Sequence, residues 1–503
     1  MEETIFRYID KSFISTLLVF ICTLLLVYMN TRRRRNVPPG PPLLPIVGNL
    51  HSLMSRDTLG RLSELRRQYG DIFGLYMGNQ LMIFLNGYDT IHDALVKKGS
   101  LFMFRAKPAY EKKSIYNTKG LIFSEGKLWK DGRQFALSAL QEICFSDKRF
   151  LDNVIEEEID HLFNTITMKE NPVEIEQLLN SSVANVTFRI VYGHRFELND
   201  TWLKWFQKTV RQFSENYVIH EVVLNCLPFI KHLPGDLLGL QKTITKINEI
   251  MTYLTQLIDN VKHNSNTEVE KQTCSFAGMY LEKIANDKDN EVESTFEDDN
   301  LKVASYHLIV AGSETTSTTI RWILLYLVRN PDIQEKIYSE LLQKLGEDLP
   351  SVNDRKRLPY TNAVILEGIR ISNVAPLAMP HTVTTDTMFN GFLIPEKSVL
   401  IPNLNSALMD PLIWDCPKEF RPERFMNETL SEVVVPKQFI AFSLGPRSCI
   451  GETLARIEIF LFVAGLVKKL KIYPEKDGIL PDTEGILATT YNPKPFKIRV
   501  YKR

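Results

Sequence analysis

The first strongly patterned stretch is uniformly apolar. Residues 13–29, FISTLLVFICTLLLVYM, carry no charge over 17 positions, the short end of what crosses a bilayer as a helix. Four arginines, Arg32 to Arg35, follow, against Arg7 and Lys11 upstream. Orientation follows the Lys and Arg counts, so residues 1–31 are predicted to be a membrane anchor with the rest of the chain on the cytoplasmic side. A cleaved signal peptide is the weaker reading, because the basic cluster comes after the apolar run and no small-residue cleavage site follows. Val37-Pro-Pro-Gly-Pro-Pro42 locks φ and removes donors, which predicts a stiff, extended hinge over 32–45.

Residues 46–503 read as one folded unit. Residues 71–77 and 80–85 look like the strands of a hairpin joined near Gly78-Asn79. From about 126 to 347 the helical period dominates, interrupted by polar stretches at 262–272 and 287–300. Strand signals return over 382–400, and from Pro474 the chain is loop and strand. No repeat is present. The pattern predicts an α+β fold, mostly helical, with small sheets segregated from the helices.

Charge changes the picture little. Lys plus Arg equals Asp plus Glu, 60 each, so the basic surplus that nucleic-acid binding needs is absent. The six cysteines stand singly, without a CxxC pair. That argues against a disulfide scaffold and against structural zinc. Five of them read as small buried hydrophobes.

One helical run starts near Ser294, where Ser294 and Glu297 resemble a capping box, and stops at Asn330-Pro331. Its centre, Ala311-Gly-Ser-Glu-Thr-Thr316, is polar among apolar neighbours. Gly312 permits close approach of a flat ligand. Thr315 can offer its hydroxyl to a bound species rather than to its own backbone, and Glu314 can relay protons. A polar notch satisfied by neighbouring helices is the equal alternative. Further on, Glu367 and Arg370 share a helix face. Flanked by leucine and isoleucines, they read as a buried structural pair with Arg424 as third member, in preference to a general acid.

The sharpest signal is Phe442-Ser-Leu-Gly-Pro-Arg-Ser-Cys-Ile-Gly451. A thiolate ligand to haem iron needs one cysteine presented at a turn, with backbone N–H groups aimed at the sulfur. Gly445 and Gly451 permit the turn, Arg447 can neutralise a propionate, Phe442 can cover the sulfur, and a helix opens at about Glu452 with its dipole toward Cys449.

This loop, the AGxET run, the ExxR pair and Pro422-Glu-Arg-Phe425 together make the chain resemble the cytochromes P-450 from residue 32 onward. The anchor and hinge are similar to those of the microsomal, family-two-type animal enzymes. The resemblance implies a P-450 fold with the long central helix over a haem b (iron protoporphyrin IX) ligated by the Cys449 thiolate. It implies that Trp129 and Arg133, as WxxxR, with His381, Arg447 and Arg105, bind the haem propionates. The usual FxxRP reads Phe102-Met-Phe-Arg105-Ala106 here, Gln134 stands where a second arginine is frequent, and Pro446 is an uncommon choice. It further implies O2 activation with Glu314 and Thr315 as proton relay. One oxygen atom enters a hydrophobic small molecule: a steroid, fatty acid, terpenoid or xenobiotic.

Electrons are expected from NADPH-cytochrome P-450 reductase, with cytochrome b-five a further candidate, since the chain has no flavin or NADPH fingerprint. Lys127, Lys130, Arg133, Lys437 and Arg447 are the candidate basic docking patch. The implied location is the endoplasmic reticulum membrane, single-pass. Cavity walls are expected from 107–123, 202–233, 311–315, 374–377 and 488–490. Two other classes stay open: a reductase-independent haem isomerase or dehydratase acting on a lipid hydroperoxide, and a non-catalytic haem-binding protein.

Overall fold

The computed structural model describes residues 13–23, 33–53, 55, 57–107, 118–147, 149–168, 172–264 and 274–503. Residues 13–23 are helical and exposed; the rest of the apolar run, 24–29, and Arg32 lie outside the described residues. No helix among the described residues is long and apolar enough to cross a membrane, so the anchor is not visible as a spanning element.

Arg33 turns inward instead of serving as a free basic flank. The Pro-rich segment offers carbonyls but few N–H groups. The Arg33 guanidinium donates to the carbonyls of Pro38 (3.2 Å), Pro41 (3.0 Å) and Gly74 (2.8 Å), which fastens the hinge to the first strand. Gly40 is required there, because any Cβ would strike the Gly74 carbonyl and Arg33.

Helix α1 (Thr58–Tyr69) is capped by Asp57, whose carboxylate accepts the Gly60 N–H at 2.8 Å. The hairpin follows as expected. Strands β1 (Ile72–Met77) and β2 (Gln80–Leu85) pair antiparallel, Met77 opposite Gln80, around Gly78 at φ 56°. With β3 (Phe104–Arg105), β5 (His381–Thr382) and β8 (Val399–Pro402) they make a five-stranded sheet in the order β1-β2-β8-β5-β3. A second sheet orders β4 (Val173–Glu174), β12 (Lys497–Lys502) and β9 (Leu470–Pro474). Hairpins β6 (Thr387–Phe389) with β7 (Phe392–Ile394), and β10 (Gly485–Leu487) with β11 (Tyr491–Pro493), complete the small sheets.

The body is helical: α2 (Gly126–Phe145), α3 (Phe150–Met168), α4 (Glu176–Tyr192), α5 (Thr201–Cys226), α6 (Leu240–Asn264), α7 (Phe276–Asp289), α8 (Asp298–Arg329), α9 (Pro331–Leu345), α10 (Pro359–Ser372) and α11 (Glu452–Lys469). Helices α4, α8 and α11 are buried on nearly every side, which makes them the central layer. Helix α8 spans roughly 50 Å at about 1.5 Å per residue and packs most closely on α4.

Its predicted capping box does not form. The helix starts at Asp298, and Ser294 turns back to bond Asp287 at 2.6 Å. Asn330-Pro331 ends it as expected, with Pro331 opening α9. Helix α10 holds the buried network. Arg370 donates to both Glu367 oxygens, 2.7 and 2.8 Å, and Arg424 Nε adds a third bond at 3.0 Å. The structural reading of that pair stands.

Candidate active site

The loop before α11 is shaped by two positive-φ residues, Ser443 (61°) and Gly445 (76°). They turn the chain so that the Cys449 N–H donates to the Phe442 carbonyl at 2.9 Å, and the Ser448 N–H to that of Gly445 at 3.1 Å. A Cβ at Gly445 would collide with the Leu95 carbonyl oxygen, so glycine is required for space as well as for φ. Protein atoms surround Cys449, and its accessible surface faces a cavity of about 320 Å³. Burial pushes its thiol up, while the Gly451 N–H and Arg133 draw it down.

The opposite wall is the middle of α8, with Leu308, Ala311, Gly312, Thr315, Thr316 and Thr319. The missing side chain at Gly312 also lets α8 close on α4, since a Cβ would sit 3.1 Å from the Thr187 hydroxyl. Thr315 faces the cavity, but its hydroxyl donates to the Ala311 carbonyl at 2.7 Å. The expectation that it would leave its own backbone is therefore corrected: a helical threonine has that i−4 acceptor always within reach. Glu314 is not on the cavity wall. It accepts from the Thr490 hydroxyl at 3.4 Å. Burial raises its carboxyl, and Arg321 and Arg211 partly offset this.

Three guanidiniums gather at the cavity edge. Arg105 donates to the Met379 carbonyl (2.8 Å) and the Arg447 carbonyl (3.2 Å). Arg447 donates to Met103 (2.9 Å) and Ser124 (2.6 Å) carbonyls and lies 3.9 Å over the Trp129 ring. Arg133, one turn beyond Trp129 on α2, reaches Ser448 Oγ at 3.3 Å. None of the three is ion-paired among the described residues. Burial, with Arg447 and Arg133 nearby, pushes Arg105 down to about 9; burial first, then Arg133, takes Arg447 to about 10. Among the described residues Arg105 Nε has no partner.

His381 is brought to this cluster but not to the cavity wall. Its Nδ1 bonds the Phe102 carbonyl at 2.5 Å and its Nε2 meets Arg105 at 2.7 Å. Both nitrogens are spent inside the protein, so it orients Arg105. Burial and Arg105 hold it well below the usual imidazole range, hence neutral.

These features fit a flat dianionic ligand with a metal centre. Buried cations without counter-charges call for an anion. A metal cation at the sulfur would reverse the upward push on the thiol. Trp129, Phe442 and apolar residues of α8 supply the walls between.

A family model for cytochrome P450 matches residues 38–500. The chain belongs to the cytochrome P450 family. It is 32% identical to cytochrome P450 2D26 of Rattus norvegicus over 486 residues, covering 95% of this chain and 96% of that one. It is 34% identical to cytochrome P450 2C23 of Rattus norvegicus over 490 residues, 96% of each. It is 33% identical to cytochrome P450 2J1 of Oryctolagus cuniculus over 457 residues, 90% and 88%. The protein is thus a cytochrome P450 monooxygenase, a family that implies a haem-thiolate centre, redox partners and hydrophobic substrates.

Of the expected cavity walls of this P450, 107–123, 311–315 and 374–377 supply lining residues, and among the described residues 202–233 and 488–490 supply none. Residues 108–117 lie outside the described residues; Leu121 and Ile122 line the cavity. Trp202 stacks instead with Tyr253 (3.8 Å), Phe206 and Phe196. The basic patch divides: Arg133 and Arg447 face the cavity, Lys127 pairs with Asp131 at 2.7 Å, and Lys130 and Lys437 remain exposed.

Two titratable lining residues escaped the sequence reading. His307 lies four residues before Ala311, at helical spacing on the same face. Glu458, a lone carboxyl in the apolar run of α11, is fully buried and pushed up to about 8 by burial alone. A charge inside a run such as Ile457-Glu-Ile-Phe-Leu461 was the available signal.

Proposed function

We propose that this P450 binds haem b through Cys449 and inserts one atom of O2 into a hydrophobic small molecule, with electrons from NADPH by way of NADPH-cytochrome P-450 reductase. The observation that carries the reading is one cysteine sulfur opening onto an apolar cavity whose edge holds three guanidiniums without ion pairs among the described residues.

Bound there, the haem supplies O2 activation, with thiolate donation favouring O–O cleavage. The chain's own residues do the rest. Arg105, Arg133 and Arg447 neutralise the propionates by charge-assisted hydrogen bonds, Trp129 fixes Arg447 by stacking, and His381 fixes Arg105. The Gly451 N–H stabilises the thiolate. Thr315 presents the cavity-side hydroxyl, and Glu314 resupplies its proton by turning from Thr490 toward the cavity. Leu308, Ala311, Val374 and Ala375 give a mainly apolar wall, suited to a steroid, fatty acid, terpenoid or xenobiotic. Residues 1–31 anchor the catalytic domain, 46–503, through the 32–45 hinge to the cytoplasmic face of the endoplasmic reticulum membrane. Exposed Lys130 and Lys437 favour an acidic redox partner, with cytochrome b-five as a second one.

The test is the carbon-monoxide difference spectrum of the dithionite-reduced protein. A strongly red-shifted Soret band, lost in Cys449→Ser, is expected. A normal-position band in folded protein rules out the thiolate and the mechanism with it. Product formed only with NADPH and reductase then separates oxygen insertion from peroxide rearrangement.

A further inference from the structure

His307 sits one helical turn before Ala311, and its ring forms part of the cavity wall. Its Nδ1 accepts the backbone N–H groups of Leu121 (3.1 Å) and Ile122 (3.3 Å). A nitrogen that accepts carries no proton, so in the neutral ring the proton lies on Nε2. Among the described residues Nε2 has no hydrogen-bond partner. Burial alone pushes the imidazole down to about 3, so the group is a neutral donor, not a cation.

The ring is also held in place. Gly120 (φ +72°) leaves it room, since a Cβ there would lie 2.6 Å from Nδ1, and Phe123 meets it edge-on at 6.1 Å. Leu121, Ile122, Leu308 and Ala311 around it are apolar. A fixed donor in an apolar wall strongly disfavours being left unpaired and therefore discriminates between ligands.

We propose that the Nε2–H of His307 is a specificity-determining hydrogen-bond donor that selects hydrophobic substrates carrying an uncharged oxygen acceptor, such as a ketone, ester or ether, over hydrocarbons of the same shape. The proposal rests on the monooxygenase reading in that it takes this cavity as the substrate site. An acceptor seated on Nε2 orients the rest of the substrate and so limits which carbon can react.

The test uses full-length holoprotein in detergent micelles and two probes, fluorenone and fluorene, which differ by a carbonyl in place of a methylene. Equilibrium dialysis gives the ratio of their Kd values, and comparing variants with wild type cancels micelle partition. His307→Asn places its carbonyl oxygen near Nδ1, keeping the bond to the 121–122 backbone, but removes the Nε2 donor. His307→Gln places an amide N–H near Nε2 and gives up the backbone bond. Preference for fluorenone should fall about fivefold in His307→Asn, within what one net hydrogen bond contributes, and be largely retained in His307→Gln. An unchanged preference in His307→Asn, or an equal fall in both variants, overturns the proposal. The carbon-monoxide spectrum of the same samples reports on the haem-thiolate reading separately. Unchanged selectivity with the band intact sinks only the role of His307. A missing band in wild type with selectivity intact sinks the thiolate reading alone.

Discussion

Replacing Glu367 with alanine removes the carboxylate at the centre of the network on α10. That carboxylate accepts two bonds from Arg370, one from Arg424 at 3.0 Å and one from the Arg421 N–H at 3.0 Å. Glu367 and Arg370 have no solvent exposure. Without Glu367, Arg370 keeps the Leu408 and Pro417 carbonyls, 2.9 and 2.8 Å, but these dipoles do not match a full charge. Breaking one side of a buried pair costs about 3–5 kcal/mol, a large share of a total stability of about 5–15 kcal/mol. Glu367→Gln keeps an acceptor and loses the charge, so its cost is smaller, about 1.5–3 kcal/mol. The double variant Glu367→Leu with Arg370→Met removes both charges and should recover part of the loss seen in Glu367→Ala. Urea unfolding followed by tryptophan fluorescence ranks the variants, with the carbon-monoxide band counting folded holoprotein. If Glu367→Ala unfolds at the wild-type urea midpoint yet has lost turnover, the structural account fails and the residue belongs to catalysis.

Glu458 titrates at about 8 in the fold against 4.5 in the open chain. The folded state therefore holds the extra proton between those values, and stability falls as pH rises through that window. Glu458→Gln should match wild type in Tm near pH 5 and exceed it by several degrees above pH 8; parallel pH profiles would refute this. Arg133→Met relieves like-charge pressure on Arg105, so the haem-free variant should unfold at higher urea. The holoprotein should lose haem to apomyoglobin roughly tenfold faster, the effect of one charge-assisted bond. Gly445→Ala combines a φ of 76° with a collision at Leu95. It should cost about 1–3 kcal/mol in backbone strain alone, read as a lower urea midpoint, and an unchanged midpoint would contradict that.

The elements that local chemistry specifies were legible. The β1–β2 hairpin needs a positive φ at its turn and has Gly78 there; α9 needs a start that tolerates a missing N–H and has Pro331. The Ser294 cap was not legible, because Asp287, its actual partner, competes from the preceding helix. Arg33 was read with its charged neighbours as a membrane flank, although the proline carbonyls beside it had few other donors available. In both cases a polar side chain had two uses of similar strength, and tertiary proximity decided between them.

The site shows the same division. The Cys449 loop was readable because the demands on a thiolate ligand fall within ten consecutive residues. Glu314 and Thr315 were read together as a proton relay, but adjacent residues on an α-helix point about 100° apart. Thr315 lies on the stripe that includes positions 307, 308, 311, 312, 315, 316 and 319, all of which line the cavity. Glu314 falls outside it and meets Thr490 instead. That stripe follows the i, i+4 spacing, so once Thr315 is taken to face the cavity, stepping back by four reaches Ala311 and then His307. The histidine was therefore within reach of the sequence by helical geometry alone. The partners of its ring were not, because the Leu121 and Ile122 N–H groups that fix its tautomer belong to a loop 185 to 186 positions away.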